Sequence, residues 1–390
     1  MTMQLPSYDQ YEDNARLALD TLAMKPTKGV PHWLVHVMDI PLIEELAGVA
    51  HGDYYKNPTE VYLKMQWNAG ASFIDQFIPE NPLSMGQHGY ESDRRRGATT
   101  GAGQIVLDDM HIDSPEAVVE HLEKHVFPRM EFCVAEHPEG LPNADINRLI
   151  KDECRVQDLF GKNMLKVPYG EYGRFPHLRY GQYGYENYFM AYALYPEVLE
   201  RDFRLQADVA EVQNYARVQA FVRGNLPRVL RLDHDMASSR GTLVDIKSLD
   251  TLWFPHFARS IKPYVEAGIR LLWHCDGALM EMVPRLIEAG VSGFQGFQYE
   301  DGMDYEKICA MTDRNGGPLM IWAGCSVTRT LPMGTKQDVI NELRFLVEKG
   351  PKVGLVLGGS SSVAPNTNHE NVRTWIEGMK YYAEYGRRTA

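Results

Sequence analysis

IRLLWHCDGALMEMVPRLIEAGVSGFQ, residues 269–295, passes from an apolar run through a polar corner into a helical pattern and then into a second apolar run. The first run ends in His-Cys-Asp-Gly at 274–277. Residues 278–290 carry apolar side chains at three- and four-residue spacing and end in glycine, which is typical of an amphipathic helix. The stretch therefore predicts two parallel strands joined by a crossover helix.

Similar apolar runs recur along the chain and alternate with helical patterns. Eight parallel strands are the number that closes a (β/α)8 barrel. The sequence therefore predicts an α/β protein with a TIM-barrel fold, in which residues 1–390 form a single domain and 79–165 are a partly helical insertion over the barrel mouth. The predicted strands are 32–39, 71–78, 166–173, 228–235, 269–276, 291–298, 318–325 and 353–360.

The composition is that of a globular protein with a sizeable core, since 44% of the 390 residues are hydrophobic. The net charge of −12 argues against nucleic acid or an anionic membrane as the main partner. Five cysteines without regular spacing do not form a disulfide framework. There is no signal-like start and no 18-residue apolar span. These features predict a cytoplasmic protein without a membrane segment.

The active site of a β/α barrel lies at the C-terminal ends of its strands, and several predicted strands end in polar residues. Side chains alternate along a strand, so His274 and Asp276 are expected to point the same way and Cys275 the other. The polar residues at or just after strand ends are Asp39, Asp233, His234, Asp235, His274, Asp276, Glu300, Cys325 and Ser360 to Ser362.

The His-x-Asp pair supplies one nitrogen and one oxygen donor, a combination that zinc accepts. A third donor is expected on the same rim, and Cys325, Glu300 and Ser361 are the candidates. The alternative is that His274 and Asp276 only bind each other through a hydrogen bond.

Two further carboxylates, Asp233 and Asp235, follow the neighbouring strand. They can orient a substrate, set the tautomer of His274 or share a proton. The alternative is an ion pair with Arg231 or Arg240.

The segment 168–196 contains many tyrosines among glycines, a composition suited to binding a flat apolar ligand with polar edges. We predict Tyr180, Tyr183 and Arg240 as substrate-binding residues. The alternative for this segment is a rigid loop that packs on the barrel.

The second half of the chain is similar to a known superfamily. RVLRLDHDMASSRGTLVDI, LLWHCDGALMEMVPRLIEAGVSGFQGFQ, RTLPMGTKQDVINEL and VAPNTNHENVRTWIEGMKYYAEYG resemble, in this order and spacing, the uroporphyrinogen decarboxylase superfamily. The resemblance covers roughly residues 200–386 and, more loosely, the start of the chain from ARLALDTLAMKPTKGVPHW. It implies a (β/α)8 barrel and one of two chemistries: cofactor-free decarboxylation of a tetrapyrrole, or zinc-dependent methyl transfer with the cobalt of a separate corrinoid protein.

The decarboxylase branch carries an arginine-rich stretch after its first strand, where the substrate carboxylates bind. Here HWLVHVMDIPLIEEL contains no arginine, so those carboxylates would lack their main partners. This difference counts against a tetrapyrrole decarboxylase.

The methyltransferase branch binds zinc through His-x-Cys and a second cysteine after the last strand. The resemblance places His274 and Asp276 at the first pair and a position near Ser361 at the second, with Cys325 as a substitute for the missing sulfur. Without both thiolates the metal is harder and more weakly held, which favours activation of an ether or another oxygen substrate. The nearest cobalamin-type motif, which begins at Asp109 and His111, lacks its glycine, so cobalamin is expected on a partner corrinoid protein.

The resulting hypothesis is a methyltransferase of a corrinoid-dependent O-demethylase system, acting on a small, methoxylated aromatic substrate. The alternatives are a cofactor-free decarboxylase and a non-catalytic barrel that binds a small molecule. The sequence does not determine the methyl donor or the direction of transfer. It also leaves the oligomeric state open, and a homodimer is one of the options. The expected catalytic residues are Asp233, Asp235 and Glu300, and the expected zinc ligands are His274, Asp276 and Cys325.

Overall fold

The structure is a computed structural model that describes residues 4–34, 36–80, 105–137 and 140–388. Its strands are β1 (Phe73–Ile74), β2 (Val106–Leu107), β3 (Met110–His111), β4 (Leu165–Lys166), β5 (Val229–Asp233), β6 (Ala237–Ser238), β7 (Gly241–Thr242), β8 (Arg270–His274), β9 (Gly293–Gly296), β10 (Met320–Cys325) and β11 (Leu355–Gly359).

Five strands form one parallel sheet in the order β11, β10, β9, β8, β5. The segment before β1 connects this sheet to a second parallel pair, because His32 pairs with Leu357 of β11 and Trp33 pairs with Phe73 of β1. Strand β1 then pairs with β4. The predicted strands therefore follow one another in the predicted order around a ring.

The ring is open between β4 and β5, where no backbone pairing joins the described residues. The predicted strand 166–173 is reduced to Leu165–Lys166. Pro168 has no N–H, and the chain turns into a 3-10 helix at Gly170–Tyr172, so this segment cannot continue a ladder toward β5. The closed barrel expected from the sequence is thus corrected to a parallel ring with one open junction.

Helices connect the strands and cover the outside of the ring. None in the described part of the chain is long and apolar enough to cross a membrane. They are α1 (Asp13–Leu22), α2 (Ile40–Ala47), α3 (Asp53–Lys56), α4 (Pro58–Asn68), α5 (Pro115–His121), α6 (Phe127–Ala135), α7 (Asn143–Phe160), α8 (Tyr180–Tyr183), α9 (Tyr185–Leu194), α10 (Pro196–Arg223), α11 (Ile246–Leu252), α12 (Phe254–Glu266), α13 (Val283–Ala289), α14 (Tyr305–Cys309), α15 (Thr330–Met333), α16 (Lys336–Lys349) and α17 (His369–Tyr385).

The helix predicted at 278–290 is shorter than expected and occupies Val283–Ala289. Pro284 lies in its first turn, where a residue without an N–H is tolerated, and Gly290 follows its end with a φ of 122°. Proline therefore determines where α13 begins.

The side chains on the two faces of the strands form two separate apolar clusters. The inner cluster fills the ring and includes Trp33, Phe73, Leu272, Trp322 and Val356. The ring centroids of Phe73 and Trp322 are 4.9 Å apart, and those of Trp33 and Trp322 are 5.4 Å apart. The second, larger cluster lies between the strands and the helices. Residues two positions beyond an inner residue on the same strand therefore face the inside of the ring.

The described part of the predicted insertion 79–165 is largely helical, and residues 81–104 of it lie outside the described ranges. The hairpin β2–β3 is followed by α5, by a π-helical turn at Leu122–Val126 and by α6. His121 contacts Tyr183 through Nδ1 (2.9 Å) and Asp108 through Nε2 (2.9 Å). The bond with Tyr183 attaches the insertion to α8, and the bond with Asp108 lies within the insertion.

Candidate functional site

His274 and Asp276 lie at the C-terminal end of β8 and point to the same side of it. Nε2 of His274 is 3.9 Å from Oδ1 of Asp276, which is too long for a hydrogen bond. Because zinc bonds to nitrogen and oxygen at about 2.0 to 2.2 Å, two ligand atoms up to about 4 Å apart can share one ion. The pair is therefore arranged as two ligands of one cation can be.

Each member of this pair is held on its other side. Nδ1 of His274 lies 3.3 Å from the backbone oxygen of Gln295, a contact that assigns the proton to Nδ1 and leaves Nε2 free to bind a metal. The hydroxyl of Ser361 donates to Oδ2 of Asp276 at 3.1 Å. Gly296, with a φ of 104°, makes room for the imidazole, since a Cβ there would be 3.2 Å from Nδ1. These contacts orient both side chains.

Oδ1 of Asp276 is buried and has no hydrogen-bond partner among the described residues. Burial raises the pKa of Asp276, and the carboxylates of Asp235 and Asp233 raise it further, against the opposing effects of His274 and Ser361. A buried carboxylate oxygen without a partner is costly, and a cation would remove the cost. The residues present therefore fit a divalent cation held by His274 and Asp276.

A third strong ligand is not brought to this pair. Within the described ranges, no group of three or more His, Cys, Asp or Glu side chains could hold a metal ion. The buried thiol of Cys325 donates to Glu342 of α16 at 3.3 Å. Trp322 faces the inside of the ring, so Cys325, three positions later, faces the helix layer. Its expected place beside His274 is corrected by this alternation.

Glu300 and Ser361, the other two candidates, occupy different places. Oε1 of Glu300 accepts hydrogen bonds from Ser326, at 2.8 Å, and from Thr328, and these residues belong to the loop after β10. Glu300 therefore contacts that loop and is not joined to His274 by a contact in the described part of the chain. Of the three candidates, Ser361 contacts the pair, through Asp276.

Asp233 lies on β5 directly opposite His274 in the register of the sheet. Its Oδ2 accepts hydrogen bonds from the hydroxyl of Tyr169, at 2.9 Å, and from Nη1 of Arg231, also at 2.9 Å. Burial alone would raise the pKa of Asp233, but His274, Arg231 and Tyr169 together lower it. Asp233 is thus an ionised carboxylate beside the imidazole.

Arg231 is buried inside the ring and binds a second carboxylate. Its Nε donates to Oδ2 of Asp75 at 2.7 Å, and Nε1 of Trp33 donates to Oδ1 of Asp75 at 2.9 Å. Burial alone would lower the pKa of Arg231, but Asp75, Tyr169 and Asp233 raise it overall. The guanidinium carbon lies 4.2 Å from the ring centroid of Tyr169. The ion pair with Arg231, weighed as an alternative for Asp233, is therefore present.

Asp235 and Tyr180 lie at the outer edge of this site. Oδ1 of the exposed Asp235 accepts the backbone N–H of Asp276 at 3.1 Å. The hydroxyl of Tyr180 donates to the backbone oxygen of Asp235 at 2.8 Å, and its ring is stacked against His234 with centroids 5.9 Å apart. These contacts bring Tyr180, an expected substrate-binding residue, next to the end of β5.

The two other expected substrate-binding residues are elsewhere. Tyr183 is fully buried, and its hydroxyl binds His121 of the insertion. Arg240 is exposed in the turn between β6 and β7. The structure therefore gives Tyr183 a packing role and leaves Arg240 on the surface.

Sequence reasoning missed Asp75 and Tyr169. Asp75 lies two residues after the inward-facing Phe73, so a carboxylate inside an apolar strand was a usable signal of a buried cation partner. Tyr169 carried no comparable signal, because it is one tyrosine among many in 168–196. Only the tertiary contact with Asp233 distinguishes it.

Comparison of the fold with solved structures finds a methyltransferase from Methanosarcina mazei, with a TM-score of 0.57 and 15% identity, over 95% of this chain and 98% of that one. A B12-independent methionine synthase from a Shewanella species matches at a TM-score of 0.38 and 12% identity, over 60% of this chain and 65% of that one. No protein-family profile and no curated protein sequence matches the chain. The first comparison establishes a shared fold at low identity.

Proposed function

We propose that this protein is a methyltransferase that moves a methyl group from a small methoxylated aromatic substrate to the cobalt of a partner corrinoid protein. The observation that carries the proposal is the arrangement of His274 and Asp276. Nε2 of His274 and Oδ1 of Asp276 lie 3.9 Å apart on the same side of β8. The fold shared with a methyltransferase supports choosing methyl transfer among the chemistries that such a pair allows.

His274 and Asp276 would hold the zinc ion. Bound there, zinc would polarise the ether oxygen and make the departing phenolate a better leaving group. Catalytic zinc usually has three protein ligands, and two strong donors hold it less tightly. We therefore expect zinc content to depend on the zinc supplied during purification.

Asp233 would orient the substrate. Because the pKa of Asp233 is lowered, it is ionised near neutral pH and cannot donate a proton there. Its side chain is 32% exposed, so its carboxylate can meet a bound molecule. The exposed Asp235, which accepts the backbone N–H of Asp276, would help to orient the substrate at the outer edge of the site, and the departing oxygen would take its proton from solvent.

Tyr180 would provide an aromatic surface for the substrate ring at the edge of the site. Glu300 would act indirectly, by ordering the loop after β10 through Ser326 and Thr328. Cobalamin would be carried by the corrinoid partner. This partner would approach the end of the ring at which His274 and Asp276 lie.

The test combines metal analysis with a methyl-transfer assay. Wild type, His274→Ala and Asp276→Asn are dialysed to equilibrium against the same zinc-containing buffer, and their zinc content above that of the buffer is measured by elemental mass spectrometry. The same proteins are assayed with cob(I)alamin and a panel of methoxybenzenes and methylamines. We expect about one zinc per wild-type chain, loss of zinc in both variants, and formation of methylcobalamin by the wild type alone.

His51→Ala is the matched control, because the side chain of His51 is 87% exposed and distant in the chain from this site. An active enzyme without zinc would contradict the proposal and favour a cofactor-free decarboxylase. Retention of zinc without turnover of any donor would favour a barrel that only binds a small molecule.

A further inference from the structure

We propose that Tyr169 and Arg231 are positioning residues that fix the carboxylate of Asp233 beside His274, across the junction between β4 and β5, which backbone pairing leaves open in the described part of the chain. This inference rests on the proposed function, because it assigns a role in the same site. It concerns residues that make no contact with His274 or Asp276 themselves and act through Asp233.

The first step concerns the two oxygens of Asp233. Oδ2 accepts two hydrogen bonds, from the hydroxyl of Tyr169 and from Nη1 of Arg231, both at 2.9 Å. Two donors on one oxygen restrict rotation of the carboxylate, and a charged donor strengthens the restraint. Oδ1 is therefore the oxygen that neither Tyr169 nor Arg231 binds, on a residue whose register partner in β8 is His274.

The second step concerns Arg231, which is itself held in place. Asp75 binds its Nε at 2.7 Å, and the ring of Tyr169 lies against its guanidinium, 4.2 Å from centroid to carbon. The ring centroid of Trp33 lies 5.5 Å from the same guanidinium carbon. A planar group clamped between a carboxylate and aromatic rings has one orientation, so it presents Nη1 to Asp233 in one direction.

The third step concerns the open junction between β4 and β5. Tyr169 follows β4, whereas Arg231 and Asp233 belong to β5, and no backbone pairing joins these strands in the described part of the chain. The hydrogen bond from Tyr169 to Asp233 and the stacking of Tyr169 on Arg231 therefore cross this junction in place of a ladder. The position of Asp233 then depends on side chains more than it would in a paired strand.

The experiment compares Tyr169→Phe with Tyr172→Phe. The hydroxyl of Tyr172 is buried without a hydrogen-bond partner among the described residues, so its removal breaks no bond. Both variants lose one phenolic oxygen from the same loop. We measure kcat and KM for methyl transfer, and zinc affinity by competition with a chromophoric chelator, for the wild type and both variants.

We expect Tyr169→Phe to lower kcat or zinc affinity by about tenfold, the usual effect of removing a residue that orients a metal-site group, with KM changed less than twofold. Tyr172→Phe is expected to match the wild type within twofold. Equal values for the two variants would overturn the inference. A wild type that neither binds zinc nor transfers a methyl group would instead contradict the proposed function.

Crystal structures of the metal-free wild type and of Tyr169→Phe provide a readout independent of activity. A changed side-chain rotamer of Asp233 in the variant supports the inference. An unchanged side-chain rotamer of Asp233, with Oδ2 still bound by Arg231, overturns the role of Tyr169.

Discussion

Nε2 of His274 lies 3.9 Å from Oδ1 of Asp276, and each of these side chains is bound on its far side by a different residue. Gln295 binds the imidazole through its backbone oxygen, and Ser361 binds the carboxylate. The two groups therefore do not simply satisfy each other. Nε2 and Oδ1 are close enough to bind the same ion.

Cys325→Ser tests the ligand set. Because the thiol of Cys325 donates to Glu342 on the helix side of β10, a serine hydroxyl can make the same bond. We expect the zinc content of Cys325→Ser to equal that of the wild type, as measured by elemental mass spectrometry. Loss of zinc in this variant would return Cys325 to the ligand set.

Asp276→Asn is expected to change the pH dependence of stability in the metal-free protein. Burial raises the pKa of Asp276 in the folded state above the value of about 3.9 in the unfolded chain. The folded protein therefore binds this proton more tightly, and the free energy of unfolding falls as pH rises from about 4 through the raised pKa. The neutral asparagine does not impose this loss.

The measurement is urea denaturation at pH 4 and pH 7 in the presence of a chelator. We expect the stability of Asp276→Asn relative to the wild type to rise between these two pH values. Asp158→Asn, on the exposed side of α7, is the control. A stability difference between Asp276→Asn and the wild type that stays constant with pH would contradict this prediction. It would show that burial does not destabilise the ionised form of Asp276.

Arg231→Met is expected to destabilise the protein by about 3 to 5 kcal/mol, because it leaves the carboxylate of Asp75 buried without its cation. The side chain of Asp75 is 1% exposed, so water cannot replace the guanidinium. Urea denaturation at 25 °C measures the effect. Arg240→Met, on the surface, should change stability by less than about 0.5 kcal/mol.

The double variant Arg231→Met with Asp75→Asn separates charge from packing. If the cost comes from the unpaired carboxylate, the second substitution recovers part of the lost stability. Additive losses would mean that the guanidinium contributes through its stacking with Trp33 and Tyr169 instead.

Gly358→Ala is expected to lower stability by about 1 to 3 kcal/mol through overpacking. A Cβ at this position would be 2.6 Å from Cε3 of Trp33, and both residues lie in the packed ring. Gly181→Ala is the control, since a Cβ there meets nothing within 4 Å. The melting temperature of each variant is measured and compared with that of the wild type. An unchanged melting temperature for Gly358→Ala would mean that Trp33 moves aside.

The positions of the strands were predictable from the sequence, because buried parallel strands read as short apolar runs. Three predicted strands show the limit of this signal. The described residues of 32–39 contain only isolated bridges, and 71–78 and 166–173 are reduced to two residues each. In 166–173 the aromatic residues belong to a 3-10 turn that Pro168 separates from β4. The directions of His274 and Asp276 were also predictable from alternation. The same rule applied to Cys325 would have excluded it, since it lies an odd number of residues after Trp322.

By itself, the sequence determined which residues stand at the ends of strands and which face each of them takes, because both follow from the period of two along a strand. The tertiary structure alone decided which of those residues meet. Asp75, Tyr169 and Arg231 are far apart in the chain, and the contacts of Asp75 with Arg231 and of Tyr169 with Asp233 depend on how the strands curve around a packed core of aromatic rings. No local pattern encodes that curvature, so Tyr169 could not be predicted as a partner of Asp233, whereas Arg231, two residues away on the same strand, could.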